Sequence, residues 1–127
     1  MTEQKTAIVT GASRGIGHGV AQRFRDLGWR VITVSRHALP ATCPWHAEQN
    51  THVELDLADL DQITHTVDAL RPLLGGSKLH ALINNAGTTK HVPHDDLDGL
   101  SAEDFQRLYA VNTIGPFQMI RAARALE

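Results

Sequence analysis

Thr10-Gly11-Ala12-Ser13-Arg14-Gly15-Ile16-Gly17 is the stretch that decides how this chain is read. The residues before it, Thr6-Ala7-Ile8-Val9-Thr10, form a nearly continuous apolar and β-branched run, the pattern of a strand buried on both faces of a parallel sheet. After it, Ile16, Val20, Phe24 and Leu27 recur at spacings of four, four and three, which predicts a helix over residues 15–27 with one apolar stripe. Gly28 stands where that helix stops. Glycines between a strand and a helix permit a tight turn, close approach of the backbone to a pyrophosphate and close helix–strand packing. The helix start offers free N–H groups and a partial positive charge to phosphate. The plain alternative is a glycine-rich turn that holds no ligand.

Three further runs read as strands: Val31-Ile32-Thr33-Val34-Ser35, His52-Val53-Glu54-Leu55 and Leu79-His80-Ala81-Leu82-Ile83. Leu60, Ile63, Val67, Leu70 and Leu74 predict a second helix, with Asp59 as N-cap, Gln62 three residues on and Gly75-Gly76 as its end. A third helix begins at Ser101, where Ser101-Ala102-Glu103-Asp104 has the form of a capping box. It is expected to bury Phe105, Leu108, Val111, Phe117 and Ile120, and Pro116 should bend it or break its hydrogen bonding. Residues 37–50 hold two prolines and no periodicity, and read as a loop or irregular turn in place of a helix; residues 88–99 read as a second polar loop. Strands alternating with helices argue for an α/β fold with a doubly wound parallel sheet and right-handed crossovers.

The end of the second strand bears on the choice of nicotinamide cofactor. An acid there would bond the ribose 2′-hydroxyl and favour NAD. The chain instead runs Val34-Ser35-Arg36-His37. Arg36 can pair with a 2′-phosphate through its fork of donors, and Arg14 in the glycine turn can approach the same group. The expectation is NADP(H) preferred over NAD(H). Two solvated surface arginines are the bland alternative.

The glycine turn resembles the T-G-x-x-x-G-x-G fingerprint of the short-chain dehydrogenase/reductase family, and three more motifs follow in that family's order. Leu55-Asp56-Leu57 resembles the segment whose Asp and following residue contact the adenine. Asn84-Asn85-Ala86-Gly87 is similar to the N-N-A-G motif beside the adenosine ribose. Val111-Asn112-x-x-Gly115-x-Phe117 resembles the helix carrying the family's catalytic asparagine. The resemblance implies a Rossmann-type doubly wound sheet with strand order 3-2-1-4. It implies a cofactor site made of Gly11, Ser13, Arg14, Gly15, Ile16, Gly17, Arg36, Asp56, Leu57, Asn85, Ala86 and Gly87, with Asn112 as the catalytic residue. Each motif has a plainer reading: Asp56 as a helix cap, Asn84 and Asn85 as turn residues, Asn112 as a polar residue bonded to backbone near a helix bend.

The family's remaining catalytic groups are a serine after strand five, a tyrosine that acts as acid and base, and a lysine four residues beyond it. Here the single tyrosine is Tyr109, position 113 is threonine, and the lysines are Lys5, Lys78 and Lys90. Tyr109 also precedes the Asn112 motif, so it reads as a packing residue. The chain reads as the family's N-terminal half, truncated after the helix that follows strand four. The resemblance implies that residues 1–127 form a single partial dinucleotide-binding domain, with the C-terminal catalytic half expected to be absent.

Composition fits this reading. The 127 residues suffice for one core, 42% are apolar, and the formal charge of −2 gives no reason to expect nucleic acid or an anionic membrane as partner. The lone Cys43 excludes an internal disulfide and reads as an incidental loop thiol in a reducing compartment. No run approaches the roughly 20 apolar residues of a membrane helix, and the N-terminus lacks a secretory signal's apolar stretch; a cytoplasmic protein is expected. His91-x-x-His94 beside Asp95 and Asp96 contains Pro93 within a loop, so no metal site is expected. The function expected is NADP(H)-dependent hydride transfer on a small-molecule carbonyl or alcohol by a homo-oligomeric full-length parent. In this chain it is reduced to the cofactor-binding half and inactive as it stands. The alternatives are an inactive nucleotide-binding module or an oligomerising fragment. A dinucleotide titration followed by a turnover assay separates them.

Overall fold

β1, Thr6–Thr10, is buried along its whole length, because it runs between two other strands with helices on both faces of the sheet. The computed structural model describes residues 4–48 and 51–126. Four strands pair in parallel in the order β3-β2-β1-β4: β2 is Arg30–Ser35, β3 His52–Glu54 and β4 Ala81–Ile83. Ile8 stands between Ile32 and Leu82, and Val34 stands beside Val53. This is the expected Rossmann-type 3-2-1-4 order, although β3 ends before Leu55 and β4 begins only at Ala81.

Successive strand residues point to opposite faces, and the core divides accordingly. Ile8, Ile32 and Val34 pack with Leu55, Ile63, Leu70, Leu74 and Met119 on one side. Val9 and Val31 pack with Ala12, Ala21, Leu39, Cys43 and Trp45 on the other.

α1, Gly15–Asp26, covers the second side. The stripe expected there is wrong at both ends: Ile16 is 80% exposed and Leu27 58% exposed, whereas Gly17 and Ala21 are buried. A Cβ on Gly17 would lie 2.3 Å from the Gly11 carbonyl oxygen. Contact that close turns the Gly17–Ala21 line inward, leaving Val20 and Phe24 as half-buried flanks. Residues 37–48 form no helix, as expected, and successive turns run from Pro40 to Glu48; residues 49–50, which end that predicted loop, lie outside the described ones. Trp45 anchors the turns. Its ring stacks on His18 at 4.7 Å, the Arg25 guanidinium lies 4.7 Å from its centre, and Arg25 pairs with Glu48 at 2.7 Å.

The other side is covered by the helices that follow β3 and β4. The second predicted helix divides at His65 into α2, Leu60–Thr64, and α3, Thr66–Leu74. Thr66 Oγ1 donates to the Gln62 carbonyl, a bond that bends helices. Asp59 caps α2 as expected, accepting from the amides of Asp61 and Gln62. Gly75, with φ of 57°, ends α3 in the left-handed region. The side chains of Leu60 and Val67 lie outside the described part of the structure.

α4, Ala102–Tyr109, starts with the expected capping box between Ser101 and Asp104. It continues through a π-helical segment, Ala110–Ile114, into α5, Gly115–Arg124. Gly115 N–H reaches five residues back to the Ala110 carbonyl. That extra residue in the turn accommodates Pro116, which has no N–H to give. The helix therefore presents a different face from the one expected. Val111, Gly115, Met119 and Ala122 are buried, whereas Phe105 is 62%, Tyr109 65%, Phe117 58% and Ile120 54% exposed. Tyr109 is thus a surface residue, contrary to its reading as packing. A Cβ on Gly115 would stand 3.0 Å from Leu57, so the buried face is set by close approach to the loop after β3.

No helix among the described residues is long and apolar enough to cross a membrane.

Candidate cofactor site

Thr10, the last residue of β1, ties the glycine turn to the end of β4. Its Oγ1 accepts from the amides of Asn85 and Ala86, both at 3.1 Å. Asn85 Nδ2 returns a bond to the Gly11 carbonyl at 3.2 Å, and Gly11 N–H donates to Val34 at the end of β2. The C-terminal ends of three neighbouring strands are thereby fixed to one another. Gly11, with φ of 65°, cannot carry a side chain, since a Cβ would meet Ala86 Cα at 2.8 Å. Gly15, with φ of 62°, faces open space.

A cleft of about 330 Å³ opens over these ends. It brings together ten of the sequence-predicted site residues: Gly11, Ser13, Arg14, Gly15, Arg36, Asp56, Leu57, Asn85, Ala86 and Gly87. Three others stand apart from its lining. Ile16 is turned to solvent beside it, Gly17 lies beneath the turn, and Asn112 stands behind Gly87, whose Cβ position is 3.3 Å from Asn112 Oδ1. The Asn112 carboxamide bonds the backbone of Thr88 at both its ends, at 2.8 and 2.9 Å.

Sequence reasoning missed Ser35, His37, Thr88 and Arg107, which also line the cleft, together with Val34, Leu55 and Val111. Arg107 was within reach of the sequence. It lies four residues before Val111, and positions four apart share a helix face.

The cleft's charge is one-sided. Its lining includes three arginines, Arg14, Arg36 and Arg107, and one acidic residue, Asp56. Asp56 Oδ1 accepts from the Ala58 amide at 2.9 Å, and Asp56 N–H donates to Gln62 Oε1. Asp56 therefore shapes the loop after β3, while Asp59 caps the helix. At the other wall Arg14 stands at the N-cap of α1 without a side-chain cap bond, and α1 has no acidic residue in its first turn. Its leading N–H groups are left to a ligand or water, and no carboxylate offsets its dipole.

These features fit a dinucleotide. The glycine turn leaves the space that a pyrophosphate needs, the helix start supplies donors, and Leu55, Leu57 and Val111 give apolar surface for a base. Among the described residues no group of three His, Cys, Asp or Glu side chains converges to hold a metal.

A family model described as short chain dehydrogenase matches residues 5–126. Protein FixR of Bradyrhizobium diazoefficiens is 36% identical over 132 residues, covering 95% of this chain and 48% of that protein. Among solved structures, a short-chain dehydrogenase/reductase family oxidoreductase from Brucella ovis, in complex with a partially ordered NAD, superposes with a TM-score of 0.84. It is 37% identical, and the match covers 98% of this chain and 58% of that one. NADPH-bound carbonyl reductase from chicken fatty liver superposes with a TM-score of 0.79 at 26% identity, over 98% of this chain and 52% of that one. The chain spans about half the length of the curated relatives it matches.

Proposed function

We propose, for a chain that belongs to the short-chain dehydrogenase family, that residues 1–127 are a partial dinucleotide-binding domain holding the adenosine half of NADP(H) in preference to NAD(H). The observation that carries this reading is the cleft's charge: three arginines against one acid in its lining, a helix start with no acid in its first turn, and Arg36-His37 just after β2 where NAD-binding folds place a carboxylate. NADP(H) adds a 2′-phosphate to the pyrophosphate and so gains most from such a field.

A nicotinamide cofactor supplies the hydride in this family's chemistry. The chain's own residues bind and orient. Gly11, Ser13 and Gly15, with the first amides of α1, cradle the pyrophosphate, and Ile16 and Gly17 shape that turn. Arg14 and Arg36 take the 2′-phosphate. Asp56 and Leu57 meet the adenine, and Asn85, Ala86 and Gly87 line the ribose. Asn112, the residue placed in catalysis, keeps the Thr88 backbone at the cleft's edge.

In a full-length parent the substrate is a small-molecule carbonyl or alcohol. Within these 127 residues Tyr109 lies outside the cleft lining and is not followed by lysine four positions on, and Lys90 is paired with Asp104 at 2.7 Å. The chain as it stands therefore binds cofactor without turning over. A calorimetric titration with NADP(H) and NAD(H), followed by an absorbance assay of NADPH with ketones and aldehydes, tests both parts. Equal affinity for the two cofactors rejects the preference. Turnover that follows the protein through purification and dies with Tyr109→Phe rejects the inactivity.

A second reading, self-association, has its own observation. Phe105, Tyr109, Phe117 and Ile120 are exposed along α4 and α5, and β4 is an edge of the described sheet. The chain is proposed to form homo-oligomers through this face.

A further inference from the structure

The turn that carries Arg36 is held from the neighbouring strand. His52 opens β3 in register with Thr33 of β2. Its Nδ1 lies 2.7 Å from Thr33 Oγ1, and its Nε2 lies 2.9 Å from the carbonyl oxygen of His37. A carbonyl only accepts, so Nε2 carries the proton and donates it. Ser35 Oγ donates to the same carbonyl and stands 3.3 Å from Nε2. Thr33 Oγ1 is also 3.1 Å from the Thr51 carbonyl. Two donors thus converge on one oxygen, and both stand on firm supports: Ser35 is buried in β2, and the His52 ring is braced by Thr33, which is fully buried.

Arg36 sits between Ser35 and His37, so its backbone is fixed from both sides. Its side chain is exposed and, among the described residues, has no carboxylate partner. From the cleft side the turn is held by Ser35, whose carbonyl accepts in turn from the Leu55 amide. The second anchor comes from behind, through His52, which does not line the cleft.

We propose that His52 is a positioning residue for cofactor discrimination: by holding the His37 carbonyl it sets where Arg36 and His37 stand to receive the 2′-phosphate. The proposal rests on the NADP(H) reading above. Its physical basis is preorganisation. A turn that must be ordered when the ligand arrives costs affinity, and a turn already ordered does not. The effect is confined to the 2′-phosphate, because the rest of the adenosine half is met by other elements: the glycine turn, the loop after β3 and the end of β4.

The 127-residue chain is titrated by calorimetry with adenosine 2′,5′-bisphosphate and with adenosine 5′-monophosphate, which differ only in the 2′-phosphate. In the wild type the bisphosphate is expected to bind more tightly. His52→Leu should lower that ratio about three- to tenfold, the scale of one hydrogen bond's net contribution, and leave the monophosphate's affinity unchanged. His52→Gln keeps a side-chain N–H for the His37 carbonyl and should recover most of the ratio. Thr33→Val removes the brace on Nδ1 with little change of shape and should lower the ratio in the same direction, which keeps the test available if His52→Leu does not fold. Folded variants that retain the wild-type ratio overturn the proposal while the NADP(H) reading stands. Equal weakening of both ligands also overturns it, since that marks general structural support. A wild type that fails to prefer the bisphosphate rejects the NADP(H) reading, and this proposal with it, before any variant is made.

Discussion

The Asn112 carboxamide pairs with the backbone of Thr88 as a neighbouring strand would: Oδ1 accepts from the Thr88 amide at 2.8 Å, and Nδ2 donates to its carbonyl at 2.9 Å. The pairing is possible because the π-helical segment places Asn112 beside the chain leaving β4. It satisfies the N–H and C=O of a residue that lines the cleft but belongs to no strand.

Asn112→Ala should therefore loosen the Thr88 stretch before it affects the rest of the fold. Each lost hydrogen bond is worth about 1 kcal/mol at an exposed site. Amide hydrogen exchange should show Thr88 losing protection while the β1 amides keep theirs. Unchanged protection at Thr88 would mean that the pairing carries no weight in solution.

Gly15 and Gly17 should fail differently. At Gly17 a methyl group meets the Gly11 carbonyl oxygen at 2.3 Å and Asn85 Nδ2 at 2.4 Å, so Gly17→Ala must displace the turn itself. The expected loss is about 1–3 kcal/mol of stability together with weaker nucleotide binding, and Gly17→Val should be worse. At Gly15 the space is open and only the positive φ is at stake, so Gly15→Ala should cost about 1–2 kcal/mol. Denaturant melts of the pair test this ordering; a Gly17→Ala protein as stable as wild type contradicts the close contact.

Arg36→Asp should reverse the cofactor preference, because a carboxylate repels a 2′-phosphate and accepts from a 2′-hydroxyl. The change is expected to be about 1–3 kcal/mol in the NADP(H)-to-NAD(H) comparison, the range of hydrogen bonds to charged groups. Arg14→Ala should act in the same direction by a smaller amount. If titration shows neither variant altering the ratio, the two guanidinium groups have no part in the choice.

Lys90, at 2.7 Å from Asp104 Oδ2, holds the Asp104 carboxyl well below its ordinary range, and the Ser101 amide bonded to it adds to the effect. The carboxyl's pKa falls from 3.8 to about 2. A depressed folded-state value means that the charged form favours the folded chain. That contribution is complete above pH 3.8 and is lost as the pH falls through about 2. The group is open to solvent, so salt should weaken the effect. Asp104→Asn should flatten the acid limb of a stability profile between those values; an unaltered limb would remove the pair from the account.

The exposed face of α4 and α5 should drive self-association. Phe105→Glu combined with Phe117→Glu is expected to shift sedimentation towards the monomer. If the wild type already sediments as a monomer across a wide concentration range, this face does not pair.

The sequence alone determined the sheet and the turn that crowns it. Ile8, Val9, Val31 and Ile32 form short apolar runs, helical spacing lies between them, and glycines stand at their junction. These are local signals, carried by residues close together in the chain, and they were enough to place the strands, the glycine turn and Arg36; the strand order and the other cleft residues, Asp56, Leu57, Asn85, Ala86 and Gly87, came from the family resemblance. The capping box at Ser101 and the stop at Gly75 were legible for the same reason.

Only the tertiary structure decided which faces the helices bury. Spacing put Ile16, Leu27, Phe105 and Phe117 inward, yet all four are exposed. In α1 the choice was made by the contact of Gly17 with the Gly11 carbonyl, and in α5 by that of Gly115 with Leu57. A periodic pattern gives the width of an apolar stripe but not its rotation against a sheet. Where backbone approaches backbone, the smallest residues fix that rotation, and hydrophobicity carries no trace of them. The hold of His52 on the turn beyond Arg36 was hidden in the same way, because it joins residues fifteen positions apart that meet only when β2 and β3 pair.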